Sequence, residues 1–296
     1  MRNIKKANLA WLVIALFSVS SSSIIVRFLP SISAEVIAFW RMALSSFMLW
    51  FYSGVKRQGH LNSSFKKPVI IAGIFLGFHF GLFFSAVKLT TISNATLLGT
   101  TAPLFSLIIE IFVLKRQFPV VTIFGVFLAF FGVLVVQDFS IDFNTEESKG
   151  NLFAILCSLC IALVFIIAEK VRQHTSTIVY CRHLFMWAAI TLAVISVLGN
   201  KSLFCFSGED FFLFFLLALF PSIFGHVVFN YFIKYFRPSI IISIPLGEPL
   251  IASFLALVFL SEEPLTNTLV GGVITITGLF ILGVKSQESH FASEND

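Results

Sequence analysis

One apolar segment of this chain contains a glutamate flanked by two prolines. Glu248 lies in the run Ile244-Pro-Leu-Gly-Glu-Pro249, near the middle of that segment. Proline removes a backbone donor and clashes with the preceding helical turn, so Pro245 and Pro249 must break or loosen a helix there. A carboxylate beside freed backbone carbonyls predicts a binding site at this break.

Two arginines, Arg41 and Arg182, also lie within apolar segments. A charge at the centre of a bilayer costs roughly 2.5–3.5 kcal/mol on insertion scales, so such a group either lines a pathway or is paired. Arg41 is the stronger candidate, because a guanidinium can anchor a carboxylate or a phosphate. Arg182 is closer to the end of its segment and could extend its charge to the interface. The alternative for both is an ion pair with Glu248 that only fixes helix packing.

Neutral polar residues mark other candidate positions inside apolar segments. His226 and Asn230 are four residues apart, which places both on one helix face, and His79 lies in another segment. These residues could bind a substrate or carry a proton, or they could only hydrogen-bond neighbouring helices. The serines at 20–23 could line a pore or let helices approach closely.

Aromatic residues make up 16% of the chain, with 38 Phe. We expect most of them to face lipid or packing partners rather than to form an aromatic cage. Trp11, Trp40 and Tyr180 are the candidates for stacking on a substrate.

The segments that carry these residues are long enough to cross a membrane. The chain is 57% hydrophobic and only 12% charged, whereas soluble proteins carry roughly 25% charged residues. A helix of about 20 apolar residues crosses the hydrocarbon core, and the runs are apolar on every face rather than alternating as in a membrane barrel. The sequence predicts an all-α integral membrane protein with ten transmembrane helices at 8–28, 33–52, 68–87, 90–114, 119–137, 150–168, 175–198, 211–234, 238–260 and 266–284.

The distribution of charge predicts how these helices are oriented. With both termini in the cytoplasm, the inner loops and tails hold most of the cations: Arg2, Lys5, Lys6, Lys56, Arg57, Lys66, Lys67, Lys115, Arg116, Lys170, Arg172, Lys234, Arg237 and Lys285. The outer loops then hold Arg27, Lys88, Lys149 and Lys201. This asymmetry follows the positive-inside rule, so the net charge of +5 reflects topology and predicts no nucleic-acid partner.

The two halves of the chain resemble each other. A shift of 146 residues pairs Pro103 with Pro249, Gly125 with Gly271, and Gly132 with Gly278, and a slightly different offset pairs Arg41 with Arg182. Pro103 therefore predicts a helix break like that at Pro245 and Pro249. Five helices is an odd number, so the second repeat must be inverted in the membrane. The predicted units are a first repeat at 1–137, an acidic external loop at 138–149, a second repeat at 150–284 and a cytoplasmic tail at 285–296.

Motifs that would support catalysis or ATP-driven pumping are missing from the sequence. It contains no G-x-x-x-x-G-K-[ST] phosphate loop, no His-Glu-x-x-His motif and no Gly-x-Ser-x-Gly elbow. The four cysteines lack His or Cys partners at metal spacing, so we expect no metal site and no cofactor. The chain is predicted not to be an enzyme.

Several short motifs, in a consistent order along the chain, resemble the drug/metabolite transporter superfamily and specifically its EamA-type ten-helix members. They are Phe39-Trp40-Arg41-Met42-Ala43, Phe78-His79-Phe80-Gly81-Leu82-Phe83, Thr90-Thr91-Ile92-Ser93-Asn94-Ala95, Thr100-Thr101-Ala102-Pro103-Leu104-Phe105, Gly225-His226-Val227-Val228-Phe229-Asn230-Tyr231 and Leu246-Gly247-Glu248-Pro249. Gly271-Gly272 and Gly278 match the closing helix. One departure is Lys115-Arg116-Gln117, where many members end the fourth helix with Gly-Glu-Arg.

The resemblance implies an inverted-repeat fold with a central cavity that exports or exchanges small metabolites. Carried onto this chain, it adds Asn94 to Arg41, His79, His226, Asn230 and Glu248 as cavity-lining residues. We therefore expect a secondary active transporter for a small polar metabolite, such as an amino acid derivative or S-adenosylmethionine, working by alternating access. Arg41 and Glu248 together would suit a zwitterion.

Two other functions stay open at this point: a passive facilitator or channel, and a non-transporting scaffold or receptor. The expected partners are the lipid bilayer, the substrate and a proton or counter-substrate, with the chain acting as a monomer or homodimer. The expected location is the cell membrane, in the manner of a bacterial inner-membrane protein.

Overall fold

The computed structural model describes residues 6–136, 145–261 and 266–292, and every regular element within these stretches is a helix. The α-helices are α1 (Lys6–Arg27), α2 (Ala34–Val55), α3 (Ser63–Leu89), α4 (Ile92–Gly99), α5 (Ala102–Phe112), α6 (Val120–Val136), α7 (Glu146–Arg172), α8 (Thr177–Leu198), α9 (Gly208–Leu217), α10 (Val227–Phe232), α11 (Pro238–Ser243), α12 (Glu248–Leu260) and α13 (Thr266–Ala292). A π-helix (Ala218–His226) joins α9 to α10, and a 3₁₀ turn (Ile244–Gly247) joins α11 to α12.

Helix occupies each of the ten segments predicted from hydropathy. Seven described segments are long and apolar enough to cross a membrane: Ala10–Arg27, Ala34–Val55, Ser63–Leu89, Ile92–Phe112, Glu146–Arg172, Thr177–Leu198 and Gly208–Phe232. The other three predicted spans are covered by α6, by α11 with α12, and by α13. The protein is therefore an all-helical, multi-pass membrane protein.

Two predicted boundaries differ from the helices observed. α7 begins at Glu146, inside the predicted external loop, because the Thr145 side chain accepts a hydrogen bond from the backbone N–H of Ser148 and caps the helix. Glu146 and Glu147 in its first turn also interact favourably with the helix dipole. α13 continues to Ala292, through most of the predicted tail. The rest of the predicted external loop, 138–144, lies outside the described residues.

Three of the helical segments are interrupted near prolines. α4 ends at Gly99 and α5 begins at Ala102, with Pro103 in its first turn. The carbonyls of Leu98 and Gly99 at this break accept hydrogen bonds from the Ser158 hydroxyl of α7, at 2.8 and 2.7 Å. Pro245 lies in the 3₁₀ turn between α11 and α12, and Pro249 is in the first turn of α12.

The π-helix is the third interruption, and it contains Pro221. A proline within a helix removes one backbone hydrogen bond, which a locally wider helix accommodates. Sequence reasoning treated this segment as a regular span, although Pro221 within an apolar run was the signal that it would deviate.

Glycines set the closest helix contacts. A Cβ added at Gly132 of α6 would lie 2.6 Å from the carbonyl oxygen of Gly271 in α13, and one at Gly278 would lie 2.6 Å from that of Gly125. The two helices can therefore touch backbone to backbone only because these positions lack side chains. Elsewhere α3 packs on α7 and α8, α2 on α8, and α1 on the π-helix and α12. These contacts surround the cavity described next.

Candidate functional site

A partly open cavity of about 70 Å³ lies among the interrupted helices. In this conformation the cavity is smaller than the ~300–1,000 Å³ of typical small-molecule sites. Its lining is mostly apolar and aromatic, with a few polar side chains: Val19, Ser22, Arg41, His79, Phe80, Phe83, Gly99, Thr100, Ala102, Ile161, Phe165, His226, Phe229, Ile242, Pro245 and Glu248. Four of the eight predicted binding residues are in this set, namely Arg41, His79, His226 and Glu248.

Arg41 is held on the cavity wall by neutral partners. Its Nε donates to the Ser222 hydroxyl of the π-helix and its Nη1 to the Ser22 hydroxyl of α1, each at 2.9 Å. Its Cζ lies 4.0 Å from the centre of the Phe80 ring, which supplies a cation–π contact. Arg41 is only 1% exposed. A buried guanidinium is thus oriented without a carboxylate among the described residues.

Glu248 begins α12, directly after the 3₁₀ turn, and is 9% exposed. It takes part in none of the ion pairs among the described residues. Arg182, the other candidate partner, instead donates to the Ser53 hydroxyl and to the Gly59 carbonyl at 2.7 Å, and lies over Trp50. Among the described residues Glu248 has no cation within ion-pair distance, although it lies close enough to Arg41 for the two charges to attract each other.

The two cavity histidines lie side by side. The rings of His79 and His226 are 6.3 Å apart between centres, and Phe80 contacts both. His79 Nδ1 is 2.8 Å from the Cys157 carbonyl oxygen. Because a carbonyl only accepts, Nδ1 carries a proton, and in the neutral ring Nε2 is then an acceptor. His79 can therefore accept a hydrogen bond from a ligand.

The predicted binding residues Asn94 and Asn230 lie outside the cavity lining. Asn94 Oδ1 accepts from the Thr268 hydroxyl at 2.7 Å, and its amide donates to Glu147 at 3.3 Å. Asn230 Nδ2 donates to the backbone carbonyl of His226, four residues earlier, at 2.8 Å, and Arg172 donates to the backbone carbonyl of Asn230. The Asn94 side chain therefore connects two helices, whereas the Asn230 side chain bonds only within its own helical segment.

Trp40 and Tyr180, the predicted stacking residues, also lie away from the cavity. Trp40 donates from Nε1 to the Leu203 carbonyl at 2.8 Å and is surrounded by phenylalanines, with the ring of Phe214 stacked on it. Tyr180 lies on α8, and its side chain is fully buried in the protein. The aromatic rings that lie close to the Arg41 charge are Phe80, at 4.0 Å, and Phe84, at 5.6 Å, and neither was a predicted stacking residue.

A second group of charges, of which Glu110 is fully buried, lies between α5, α7 and the loop after α5. Arg116 bridges Glu110 at 2.7 Å and Glu169 at 2.8 Å, and the Ser106 hydroxyl donates to Glu110 at 2.9 Å. Burial lowers the pKa of Arg116, but its hydrogen bonds to Glu169 and Glu110 raise it more, so the pKa lies above its usual value. Glu110 and Arg116 are six residues apart in the chain, whereas the contribution of Glu169 depends on how α7 packs.

Comparison with known families decides the class of the chain. The model of the EamA-like transporter family matches residues 6–137 and again residues 148–284. The chain belongs to the EamA-like transporter family. It is accordingly a membrane transporter and not an enzyme. Within its described residues, no group of three or more His, Cys, Asp or Glu side chains could hold a metal ion.

Curated relatives of this EamA-like transporter cover nearly its whole length. An S-adenosylmethionine uptake transporter of Rickettsia conorii is 27% identical over 93% of this chain and 92% of its own. The protein of the same name from Rickettsia felis is 28% identical with the same coverage. An uncharacterized transporter of Archaeoglobus fulgidus is 25% identical over 85% of this chain and 88% of its own.

One solved crystal structure shares the fold of this EamA-like transporter. It superposes with a TM-score of 0.71 at 15% sequence identity, covering 96% of this chain and 99% of the other. Identity this low supports the shared architecture alone.

Proposed function

We propose that the protein is a secondary active transporter of a small zwitterionic metabolite of the S-adenosylmethionine type, working by alternating access around the described cavity. One observation carries the proposal: Arg41 and Glu248 line one cavity, yet they form no ion pair with each other among the described residues. Two buried charges of opposite sign that do not contact each other can each bind an oppositely charged group of one substrate.

The apolar and aromatic residues of the lining suit a molecule that has a planar ring as well as charged groups. S-adenosylmethionine carries a carboxylate, two cationic groups and a planar adenine. The carboxylate would bind Arg41, a cationic group would bind Glu248, and the purine would contact apolar and aromatic side chains such as Phe83 and Phe229. The names of the Rickettsia relatives agree with this substrate class.

The proposed architecture is ten spans in two inverted five-helix repeats, with both termini in the cytoplasm. Two successive matches to one family model support the repeat. The contacts between α6 and α13 support its two-fold relation, because the Gly132–Gly271 contact becomes the Gly125–Gly278 contact when the halves are exchanged. The basic residues of the predicted inner loops support the orientation. The repeats keep the sequence boundaries of 1–137 and 150–284.

We further propose a bacterial inner-membrane location, since the Rickettsia relatives are bacterial, and function as a monomer or homodimer. The direction is that of an exporter or exchanger. An exchanger is compatible with relatives named for uptake, because one carrier can import one solute while exporting another.

Proteoliposomes provide the test of this function. Purified protein is reconstituted, and uptake of radiolabelled S-adenosylmethionine is measured with and without unlabelled S-adenosylmethionine inside. Saturable uptake that the internal solute accelerates is the expected result. Linear, unsaturable flux would establish the alternative of a passive facilitator. If protein-containing and empty vesicles take up S-adenosylmethionine equally, this substrate is wrong, and amino acids and a nucleotide sugar are tested next.

A further inference from the structure

The partners of Arg41 fix the direction of its hydrogen bonds. The Ser222 hydroxyl donates to the Leu217 carbonyl, five residues earlier, at 3.2 Å. A serine hydroxyl has one proton, so Ser222 must accept the hydrogen bond from Arg41 Nε through a lone pair. The five-residue spacing is that of the π-helix, and the interruption at Pro221 therefore helps to aim this acceptor at Arg41.

Ser22 holds the other end of the same guanidinium. Its hydroxyl accepts from Arg41 Nη1 at 2.9 Å and lines the cavity. No described residue accepts the proton of Ser22 itself. Ser22 therefore has a donor left for a ligand, next to Arg41.

One edge of the Arg41 guanidinium has unused hydrogen-bond donors. Phe80 covers one face with its ring centre 4.0 Å from Cζ, and Ser222 occupies Nε. Nη2 and the second proton of Nη1 have no hydrogen-bond partner among the described residues. These two nitrogens form the edge that binds both oxygens of a carboxylate in a two-point contact.

We propose that Arg41, Ser22 and Ser222 form a carboxylate seat in the cavity. Nη1 and Nη2 of Arg41 and the hydroxyl of Ser22 bind the carboxylate of the substrate, while Ser222 is a positioning residue that fixes the plane of the guanidinium. The inference rests on the proposed function, because it takes the cavity as the substrate site. It adds two residues and a specificity: the seat selects molecules with a free carboxylate.

The specificity follows from the donors in the seat. An analogue without the carboxylate leaves Arg41 buried and without an anion, and a site built to hydrogen-bond one group rejects molecules that lack it. S-Adenosylmethionine and its decarboxylated form, which ends in the amine, are therefore the diagnostic pair.

Kinetics in proteoliposomes test the seat. Ser22→Ala and Ser222→Ala are each expected to raise KM for S-adenosylmethionine by about ten-fold, with kcat nearly retained, because each weakens a hydrogen bond to a charged group. Entry of the decarboxylated form should change little. Ser23→Ala is the matched control, because Ser23 is as buried and its hydroxyl bonds the Ser20 carbonyl instead. Equal losses for both compounds, or the same loss in the control, would overturn the seat.

A second measurement does not depend on transport. Arginine labelled with ¹⁵N gives an Nε–Hε signal for each ordered guanidinium, and that of Arg41 is assigned by its loss in Arg41→Lys. Ser222→Ala should shift this signal and speed its exchange with solvent, whereas Ser23→Ala should not. An unchanged signal in Ser222→Ala would refute the positioning role. If the wild type fails to carry S-adenosylmethionine, the proposed substrate fails, and this signal still decides how Arg41 is positioned.

Discussion

The cavity around Arg41 and the cluster around Arg116 differ in what surrounds the arginine: neutral groups in the cavity, and carboxylates in the cluster. Arg116 contacts the carboxylates of Glu110 and Glu169, and Glu110 is fully buried. Arg41 is equally deep, yet it contacts two serines and a phenylalanine ring. A charge beside its counter-ion is compensated within the protein, and removing either partner is costly, whereas a charge held by neutral acceptors is left to attract an anionic group of a ligand. The difference separates the part of the protein that fixes helices from the part that we propose binds substrate.

Arg41→Ala gives the largest expected effect. Removing the guanidinium should reduce S-adenosylmethionine exchange by roughly 100-fold or more, because the substrate carboxylate would be buried without a partner. Initial rates in proteoliposomes measure the loss, with folding checked by circular dichroism and gel filtration. Arg182→Ala is the matched control, since Arg182 is also a buried arginine but bonds Ser53 and Gly59 away from the cavity. Equal rates for Arg41→Ala and the wild type would refute the role of Arg41.

Glu248→Gln in the cavity has the second-largest expected effect, and Glu110→Gln in the Arg116 cluster is its counterpart in the other region. The substitution keeps the shape and removes the charge, so exchange of a cationic substrate should fall about ten-fold while the melting temperature stays unchanged. Glu110→Gln should do the reverse, lowering the melting temperature and leaving KM unchanged. Transport rates and thermal unfolding of both variants form a two-by-two comparison. If both substitutions affect the same property, the distinction between the regions is wrong.

Arg116→Ala should act on stability rather than on transport. Its loss leaves the buried Glu110 with Ser106 as its one described partner, and we expect the free energy of unfolding to fall by about 2 kcal/mol. KM for folded, reconstituted protein should not change. Lys115→Gln removes a neighbouring exposed cation and serves as the control. A changed KM with unchanged stability in Arg116→Ala would contradict this assignment.

Asn94→Ala should have the smallest effect, raising KM by less than about three-fold, because the Asn94 side chain bonds Thr268 and Glu147 and not the cavity. Thr268→Val removes the same 2.7 Å hydrogen bond from the other side and should match it. If Asn94→Ala abolishes exchange and Thr268→Val does not, Asn94 contacts the substrate in another conformation of the transport cycle.

The membrane class and the helical segments could be predicted from the sequence because each depends on local composition. About 20 apolar residues form a spanning helix wherever they occur, and proline disrupts helical hydrogen bonding in any context. The breaks near Pro103 and Pro245 lie in the expected segments for this reason. The π-helix at Pro221 follows the same rule and was missed because only the prolines around Glu248 and Pro103 were weighed.

The composition of the cavity could be predicted only in part. Position in an apolar segment, aromatic character or the family resemblance marked eight residues as candidates. The sequence does not distinguish whether such a side chain faces the cavity or packs against a neighbouring helix. Arg41, His79, His226 and Glu248 face one space, while Asn94, Asn230, Trp40 and Tyr180 bond or pack elsewhere in this conformation.

The sequence by itself determined that this protein is a helical membrane transporter, since hydropathy, charge asymmetry and family motifs are properties of short stretches of chain. Only the tertiary structure decided which polar groups meet. Arg41 and Ser222 are separated by 181 residues, and their contact depends on the rotation of α2 and on the register of the π-helix. Helical spacing gives the face on which a side chain lies, but packing against other helices decides what that face meets.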